Sequence, residues 1–536
     1  MKKIAYSRFN QWGIIIAMMA VLALVLALQL PYINEFPAYI HAWAQADWYS
    51  IAIGYIDNGM DFFHPETSIY NKQFPGHWAV ANATTITSVD FPIHEYIVAL
   101  WMKLFGTTAP WVFRLWTLII SLIGMFFLYK VSFELSHDWL KSLLVVSVAV
   151  TAPVYAYYFS GFLPAIPAIA VATAGLWAYL KYRNTNALKY FHWSVGLLTL
   201  AMLIRTTFAI AFIATLGFEF LRILRKESTL KGKIPTVAIA IILYLSYYLW
   251  NAHLRASYGS LFLNELMPAK SKEDWTYVFE NIQERWLYHY FQISQQHLIA
   301  TAAAIGLLWA IGRALYKHFR GHEKSQKALS FWWFCGIYLF GCLLFGIAML
   351  KQYTDHDYYF IDSFFLPLLL ILTAGLAELP KIKNYWIGLL VLGLIVWIVQ
   401  PMYMGAHRRQ KERRIGEDTA QICAQHFNNS AQFLNEAGVA PDAKILVLFG
   451  YPQNSPFILM HRKGYCVMWH DYDIVHNAIT FDYDYIVIEH NAYHDNFEGH
   501  NDILKHLKPL KRNEFLTLCT YDETHVNESI ENFLGK

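Results

Sequence analysis

The stretch Ser194–Leu221 reads SVGLLTLAMLIRTTFAIAFIATLGFEFL, an apolar run with one arginine, Arg205, near its centre. A single membrane helix needs only about 20 apolar residues, and this run is longer. Basic residues flank it on both sides, at Lys181, Arg183 and Lys189 before it and at Arg222, Arg225, Lys226, Lys231 and Lys233 after it. Basic loops favour the cytoplasmic side of a membrane. We therefore predict two short helices, broken near Arg205, that leave the cytoplasm and return, in preference to one tilted helix.

Nine further apolar runs have the length of membrane spans. They are Gly13–Leu30 and the segments near 111–131, 139–158, 162–181, 234–251, 297–316, 331–350, 360–377 and 385–403. The first run follows basic residues as in a signal peptide, but no small-residue cleavage site follows it, so we predict a retained span. Basic content assigns segments 1–12, 182–193, 222–233, 314–330 and 378–384 to the cytoplasm, and 33–110, 252–296, 351–359 and the tail to the outside. The result is about eleven crossings, with the N-terminus inside and the C-terminus outside.

The composition of the whole chain supports this assignment. Of 536 residues, 56% are hydrophobic and only 15% are charged, against about 25% charged in soluble domains. The net charge of +3 excludes a strongly basic nucleic-acid-binding protein. Aromatic residues make up 17% of the chain, as expected for rings at lipid headgroup level and in sugar-binding sites. We predict a polytopic α-helical membrane protein of the cytoplasmic (inner) membrane, with no nucleic-acid partner.

The last part of the chain has a different composition. We predict a transmembrane module over residues 1–403 and a soluble, extracytoplasmic α/β domain over 404–536, with helices near 416–437 and 456–461 and strands at 443–449 and 485–489. A basic run at 407–414 lies outside in this topology, contrary to the preference of basic segments for the cytoplasmic side. A long domain that follows such a run can still be translocated across the membrane. One disulfide among Cys423, Cys466 and Cys519 is possible, and the sequence does not indicate which pair would form it.

The first outer loop holds an acidic candidate for chemistry. From His41 it reads HAWAQADWYSIAIGYIDNGMDFFHPETSIYNK. Asp47 opens an amphipathic segment there, and a helix N-terminus keeps a carboxylate ionised. Such a carboxylate could serve as a general base for a hydroxyl or only as a helix N-cap; the residues do not separate these roles.

A second element follows at Val89–Gly106, VDFPIHEYIVALWMKLFG. We expect Pro92 to begin a helix with Asp90, His94 and Glu95 around its first turn, and a helix this short to lie in the membrane interface. Asp90 is again either an N-cap or a functional acid. Arg114, at the start of the next span, is expected to snorkel to the interface.

These segments together resemble the GT-C superfamily of membrane glycosyltransferases. The span, the acidic outer loop, the acid–x–Pro helix that ends in Leu-Phe-Gly and the following span with its arginine are most similar to glycosyltransferase family 39, which includes protein O-mannosyltransferases and lipid A aminoarabinose transferases. The resemblance covers 13–403 in organisation and 41–116 in motif detail. It implies that Asp47 and Asp90 are the catalytic acids, Asp47 matching the family's first-loop aspartate and Asp90 its second acidic residue.

The departures from the family pattern concern the donor phosphate. The aminoarabinose transferases have a basic residue and a double proline where this chain has Phe91, Pro92 and Ile93. The cation must then come from elsewhere, and Lys72, Arg205 and Lys351 are candidates by location. An arginine in an apolar run usually faces a cavity or a partner, and a guanidinium can hold a phosphodiester bidentately. A structural ion pair is the alternative for Arg205.

A third polar element lies at Lys351–Pro367, KQYTDHDYYFIDSFFLP. It resembles a late His–x–Tyr–Tyr…Pro segment of bacterial family 39 members, although aromatic residues there also serve as interface anchors. The substrate-binding residues that we predict are Lys72, His94, Glu95, Arg205, Lys351, His356, Asp357 and Tyr358.

The resemblance implies transfer of a sugar from a polyprenyl-phosphate donor to a lipid, glycan or protein acceptor on the outer face, with membrane lipids as the other partners. Asp47 would take the acceptor proton, and one displacement would invert the anomeric carbon. No cofactor is required, although Asp47 and Asp90 could share a divalent metal. The main alternative is a transporter or flippase of lipid-linked sugars, and a third is a non-catalytic assembly partner.

Overall fold

The computed structural model describes residues 2–319, 330–382, 384–415, 418–468, 472–491 and 500–527. The chain forms two compact units. The helical unit comprises Met1–Ile33, Arg114–Tyr247 and Glu265–Glu412, and the mixed unit comprises Asn34–Phe113, Tyr248–Asn264 and Arg413–Lys536. The first outer loop and the C-terminal segment therefore fold into the same unit. The division at 403/404 into a catalytic membrane module and a soluble domain stays a prediction.

Helices account for most of the described residues. In chain order they are α1 Lys2–Gln29, α2 Ala42–Asp57, α3 Ile93–Phe105, α4 Pro110–Ser136, α5 Trp139–Thr151, α6 Pro153–Tyr158, α7 Ala165–Thr185, α8 Leu188–Ile204, α9 Ala209–Leu224, α10 Ile234–Tyr258, α11 Lys272–Asn281, α12 Leu287–Tyr290, α13 Ile293–Phe319, α14 Phe331–Ala348, α15 Gln352–Asp355, α16 Leu366–Glu378, α17 Tyr385–Glu412, α18 Thr419–His426, α19 Ser430–Glu436, α20 Ser455–Met460, α21 Tyr472–Ile479 and α22 Asn501–Leu504.

Helices lie on all the predicted apolar runs. Over the described residues, seven helical segments are long and apolar enough to cross a membrane: Gly13–Tyr32, Pro110–Ser136, Thr206–Leu224, Ile234–Tyr258, Phe331–Ala348, Ile361–Glu378 and Tyr385–Glu412. The polytopic helical class is confirmed, but the count of about eleven spans is not. The predicted cytoplasmic segment 314–330 lies largely outside the described residues, at 320–329.

The break near Arg205 is confirmed. Helix α8 ends at Ile204, Arg205 adopts an extended backbone with φ −147° and ψ 111°, and a short 3-10 turn at Thr206–Phe208 leads into α9. The two helices pack against each other. The side of the membrane on which this break lies stays a prediction.

A proline divides another predicted span. The run 139–158 forms α5 and α6, because Pro153 has no N–H for a continuous helix and disfavours helical geometry at Ala152, which is extended. Every residue of α5 and α6 is buried. Two glutamines satisfy a backbone carbonyl at this site, since the Nε2 atoms of Gln29 and Gln410 donate to Ala156 O at 2.8 and 2.6 Å.

The mixed unit is built on a five-stranded sheet with the order β2-β1-β3-β5-β4. The strands are β1 Lys444–Leu448, β2 Lys463–Val467, β3 Tyr485–Glu489, β4 Leu507–Arg512 and β5 Leu516–Tyr521. Strand β1 pairs in parallel with β2 and β3, while β5 is antiparallel to both β3 and β4. Helices α18 and α20 contribute buried side chains to the hydrophobic core of this sheet. The predicted α/β character of this part of the chain is confirmed.

The sequence identified β1 and β3 but not the other three strands. Both identified strands are continuous apolar runs, which is the pattern of a strand buried on both faces. Strand β4 is mostly exposed and carries lysine and proline, so its residues give no apolar signal. The single helix predicted at 416–437 is two helices, because Asn429 takes a left-handed backbone with φ +63° between α18 and α19.

The first outer loop packs along the edge strand β2. Tyr70 N donates to Gly464 O at 2.8 Å and Gly464 N donates to Ser68 O at 3.1 Å. A Cβ atom on Gly464 would lie 1.8 Å from Ile445 O, so only glycine fits between the two neighbouring backbones. Cys423, Cys466 and Cys519 are all free and buried, and the disulfide left open above does not form.

Candidate functional site

The carboxyl of Asp47 is buried inside the mixed unit, with 2% of the residue exposed. Helix α2 begins at Ala42, after His41 in a left-handed conformation with φ +55°. Asp47 is thus in the second turn, so the prediction that it begins the helix is wrong and the N-cap alternative for it does not hold. Five residues of the helix, 42–46, precede Asp47, and three of them are buried: Ala42, Gln45 and Ala46.

Two amide side chains hold this carboxyl. Asn454 Nδ2 donates to Asp47 Oδ1 at 2.8 Å, and Gln453 Nε2 lies 3.3 and 3.5 Å from the two carboxyl oxygens. Burial raises the pKa of Asp47 to about 8, and the hydrogen bonds from Asn454 and Trp43 oppose this shift only in part. The expectation that the helix dipole keeps Asp47 ionised is therefore wrong, because loss of hydration outweighs it.

The second acidic element forms a helix that begins at Pro92 and Ile93, as predicted. Helix α3 starts at Ile93, and its N-cap residue, Pro92, makes no side-chain capping bond. Asp90 lies two residues before the N-cap position, and the choice between a capping and a chemical role stays a prediction. The charge of Asp90 contributes to raising the pKa of Glu95, after the larger effect of burial. The structure thus brings Asp90 and Glu95 together, as the spacing predicted.

His94 and Glu95 are both buried in the first turn of α3. Burial lowers the pKa of His94 to about 3 and raises the pKa of Glu95 to about 8, so both side chains are mainly neutral at pH 7. The Oε1 atom of Glu95 has no hydrogen-bond partner among the described residues. A buried carboxyl in this state can hold or release a proton near neutral pH.

Lys72 is buried and tied to the backbone. Its Nζ atom lies 3.0, 3.4 and 3.2 Å from the carbonyl oxygens of Ile69, Tyr70 and Thr84, and burial lowers the pKa of the ammonium to about 7. An ammonium has three donors, and these carbonyls take all of them. The geometry thus gives Lys72 a structural role in the loop rather than an open phosphate contact.

Arg205 forms an ion pair within the helical unit. Its Nε atom lies 3.1 and 3.0 Å from the two carboxylate oxygens of Asp362, and its Nη2 atom lies 2.6 Å from Oδ2. Asp362 is buried in the five-residue π-helical segment Ile361–Phe365 that precedes α16. The structure thus contains the ion pair that was the alternative to phosphate binding for this arginine.

The late polar element lies close to that pair. The hydroxyl of Tyr158 donates to Asp357 Oδ1 at 2.8 Å. The ring of Tyr358 lies 5.4 Å from that of His356 and 6.3 Å from that of Tyr158. Lys351 forms an ion pair with Asp274 at 2.9 Å. His356, Asp357 and Tyr358 are therefore neighbours in the helical unit, while Asp47, Asp90, His94 and Glu95 belong to the mixed unit.

Arg114 does not reach the surface as predicted. It is 3% exposed, donates to Ser160 O at 3.4 Å and lies over the Phe162 ring at 4.8 Å. The guanidinium is enclosed because α4 packs against the segment that follows α6.

Sequence reasoning missed Gln453, Asn454 and Asp362. The two amides follow β1 in GYPQNS, and the carboxyl end of a parallel strand is where such sites form. Asp362 is an acid within an apolar span, which by itself calls for a cationic partner. The described residues contain no group of three or more histidine, cysteine, aspartate or glutamate side chains placed to hold a metal ion.

Residues 90–250 match the family described as Dolichyl-phosphate-mannose-protein mannosyltransferase. The chain is also similar to ArnT from Cupriavidus metallidurans, solved bound to undecaprenyl phosphate, with a TM-score of 0.57 and 11% identity over 97% of this chain and 100% of that chain. For AglB from Archaeoglobus fulgidus, solved with an inhibitory peptide and a dolichol-phosphate, the TM-score is 0.53 at 10% identity, over 90% of this chain and 70% of that chain. No curated protein sequence matches significantly.

The structural likeness at such low identity establishes the fold, and the family match over 90–250 connects this fold to sugar transfer. Both agree with the resemblance read from the spans and the acidic outer loop. Over residues 90–250 the chain is thus similar to a mannosyltransferase family, and it shares the fold of the ArnT and AglB structures.

Proposed function

We propose that the protein transfers a sugar from a polyprenyl-phosphate donor to a hydroxyl acceptor on the outer face of the cytoplasmic membrane, with inversion. The observation that carries this proposal is the buried Asp47 carboxyl, held by Asn454 and Gln453, in a chain with a mannosyltransferase family match. The undecaprenyl phosphate of ArnT and the dolichol-phosphate of AglB support a lipid-phosphate donor.

In the proposed reaction, Asp47 removes the proton of the acceptor hydroxyl. The acceptor oxygen forms a bond to the anomeric carbon while the bond from that carbon to the phosphate oxygen breaks. The electron pair leaves with the polyprenyl phosphate, and the proton stays on Asp47. A general base works best with a pKa near the working pH, and a pKa of about 8 meets that requirement.

The remaining predicted residues are proposed as follows. Asp90, His94 and Glu95 would form a polar region in the mixed unit, and Asp90 would be the second catalytic acid. In the helical unit, Lys351, His356, Asp357 and Tyr358 would contact the donor. Arg205 would contribute its positive charge to the donor site while two of its nitrogen atoms bond the Asp362 carboxylate.

A divalent metal shared by Asp47 and Asp90 finds little support in the residues present. Asp47 is surrounded by amide donors, and donor N–H groups do not ligate a cation. We therefore propose the metal-free route, and chelator treatment of the purified protein tests it: transfer should persist.

Transfer in proteoliposomes tests the proposal directly. Purified protein would receive undecaprenyl-phosphate-linked sugars, and mass spectrometry of the cell-envelope glycans of a deletion strain would indicate which sugar and acceptor to supply. The expected products are free undecaprenyl phosphate and a glycosylated acceptor with inverted anomeric configuration. Retention of configuration would contradict single displacement.

A transporter or flippase of lipid-linked sugars is the rival function. It predicts that labelled lipid-linked sugar changes leaflet without cleavage of the phosphate–sugar bond. Movement without cleavage, in both wild-type protein and Asp47→Asn, would replace the enzyme proposal with this one.

A further inference from the structure

Asn454 and Gln453 form a polar cluster around Asp47 that is fully buried within the mixed unit. Asn454 is itself fixed at its other end, because its Oδ1 atom accepts hydrogen bonds from Ser50 Oγ at 3.1 Å and from Ser68 N at 3.2 Å. The hydroxyl groups of Ser50 and Ser68 are 2.9 Å apart. Only the Nδ2 side of the amide therefore faces the carboxyl, and its orientation is determined by these bonds.

Gln453 differs from Asn454 in having an open atom. Its Oε1 atom is buried and has no hydrogen-bond partner among the residues that the structure describes, while its Nε2 atom is next to Asp47. Buried polar atoms in native proteins are nearly always paired. A substrate group that donates a hydrogen bond to Gln453 Oε1 would pair this acceptor beside the carboxyl.

We propose that Asn454 and Gln453, which follow β1 in the C-terminal part of the chain, are positioning residues of the catalytic centre: Asn454 orients the Asp47 carboxyl and stabilises its ionised form, and Gln453 offers Oε1 to the acceptor substrate. The chemical class of that substrate group is a hydroxyl, since it must donate to Gln453 and then lose its proton to Asp47. This inference rests on the proposed function.

The groups that face Asp47 define its titration. Trp43 and Asn454 are hydrogen-bonded to it. The phenol of Tyr451 is close enough for the Asp47 charge to raise its pKa, and Asp418 acts on Tyr451 in the same direction. These acids do not favour the ionised form of Asp47. The hydrogen bonds from Asn454 and Trp43 are the contributions that do, and removing the Asn454 bond should raise the pKa of Asp47 further.

Infrared titration of the full-length protein in detergent tests this without any substrate. The band of the protonated carboxyl that is absent in Asp47→Asn is followed from pH 5 to 10 in wild type, Asn454→Leu and Gln453→Met. Asn477→Leu, an exposed amide on α21, is the matched control. For wild type and the control we expect a titration midpoint near pH 8, the pKa of Asp47. For Asn454→Leu the midpoint should lie about one pH unit higher or more. For Gln453→Met the rise should be smaller, because Gln453 lies farther from the Asp47 carboxyl than Asn454 does.

Transfer from undecaprenyl-phosphate-linked sugar is measured over the same pH range. At pH 7 Asn454→Leu should lose about tenfold in rate and recover as the pH rises, which a merely structural defect would not do. Gln453→Met should also raise the KM for the acceptor. Unmoved midpoints in both variants, or losses independent of pH, overturn the positioning role even if Asn454→Leu folds poorly. If Asp47→Asn transfers sugar at the wild-type rate, the proposed function fails, whatever the midpoints show.

Discussion

The substitution Asp47→Asn tests how the buried Asp47 carboxyl affects the stability of the fold and the rate of sugar transfer. The folded protein holds this group with a pKa of about 8, against 3.8 for the exposed side chain. Folding therefore takes up a proton between these two pH values. A raised carboxyl pKa contributes stability that is fully present below the unfolded value and is lost as the pH rises towards the folded value.

The size of the effect follows from the proton linkage. Each pH unit in this window changes the free energy of unfolding by about 1.4 kcal/mol for one proton. Between pH 5 and pH 8, wild type should lose about 4 kcal/mol relative to Asp47→Asn, which has no proton to release. The two proteins should have their closest stabilities near pH 5, and the gap should widen up to pH 8 and then stay constant.

Thermal unfolding in detergent at pH 5, 6, 7 and 8 measures this gap, and Asp57→Asn is the matched control because it removes a partly exposed carboxyl from the same helix. Transfer assays on the same samples should show Asp47→Asn at least about 100-fold slower, as expected for loss of a general base. The rate of wild type should rise from pH 6 towards pH 8. Parallel pH dependence of stability in wild type and Asp47→Asn would refute the buried, protonated carboxyl.

Further predictions concern packing and ion pairs. Arg205→Ala should destabilise the protein by about 3–5 kcal/mol because it leaves Asp362 buried without its cation. The double variant Arg205→Met with Asp362→Leu should recover thermal stability. It should recover sugar transfer only if Arg205 does not contact the polyprenyl-phosphate donor. Lys72→Met should cost about 1–3 kcal/mol in unfolding free energy, from carbonyls left unpaired, with the KM for the donor unchanged; a raised KM would restore its phosphate role. Gly464→Ala should destabilise the mixed unit by about 3 kcal/mol, measured by thermal unfolding, because its Cβ would overlap Ile445 O; unchanged unfolding would contradict the close backbone approach.

The sequence predicted features that depend on one segment at a time. A helix lies on every apolar run, and the break at Arg205 was visible because an arginine interrupts a mainly apolar stretch of 28 residues between two basic loops. The strands at 443–449 and 485–489 were recognisable because strands in the middle of a sheet are apolar throughout. These signals are local, so periodicity and composition were enough.

Other predictions failed where a neighbour distant in the chain determines the environment. Asp47 was expected to be ionised at a helix start, but its environment is the amide pair at 453 and 454, about 400 residues away. Arg114 was expected at the surface and is buried. Nothing within a window of sequence reports how much water a side chain loses.

The sequence alone thus determined that this chain is a helical membrane protein with a small α/β part, and it identified Asp47 as the residue to examine. Only the tertiary structure decided the state of that residue, since the pKa of a carboxyl depends on burial and on hydrogen-bond donors brought from elsewhere in the chain. It also decided that Arg205 has Asp362 as its partner and that Lys72 bonds backbone carbonyls. The distribution of charged residues along the chain predicts which side of the membrane each loop occupies. The protonation state and the partners of a site residue depend instead on contacts that only folding creates.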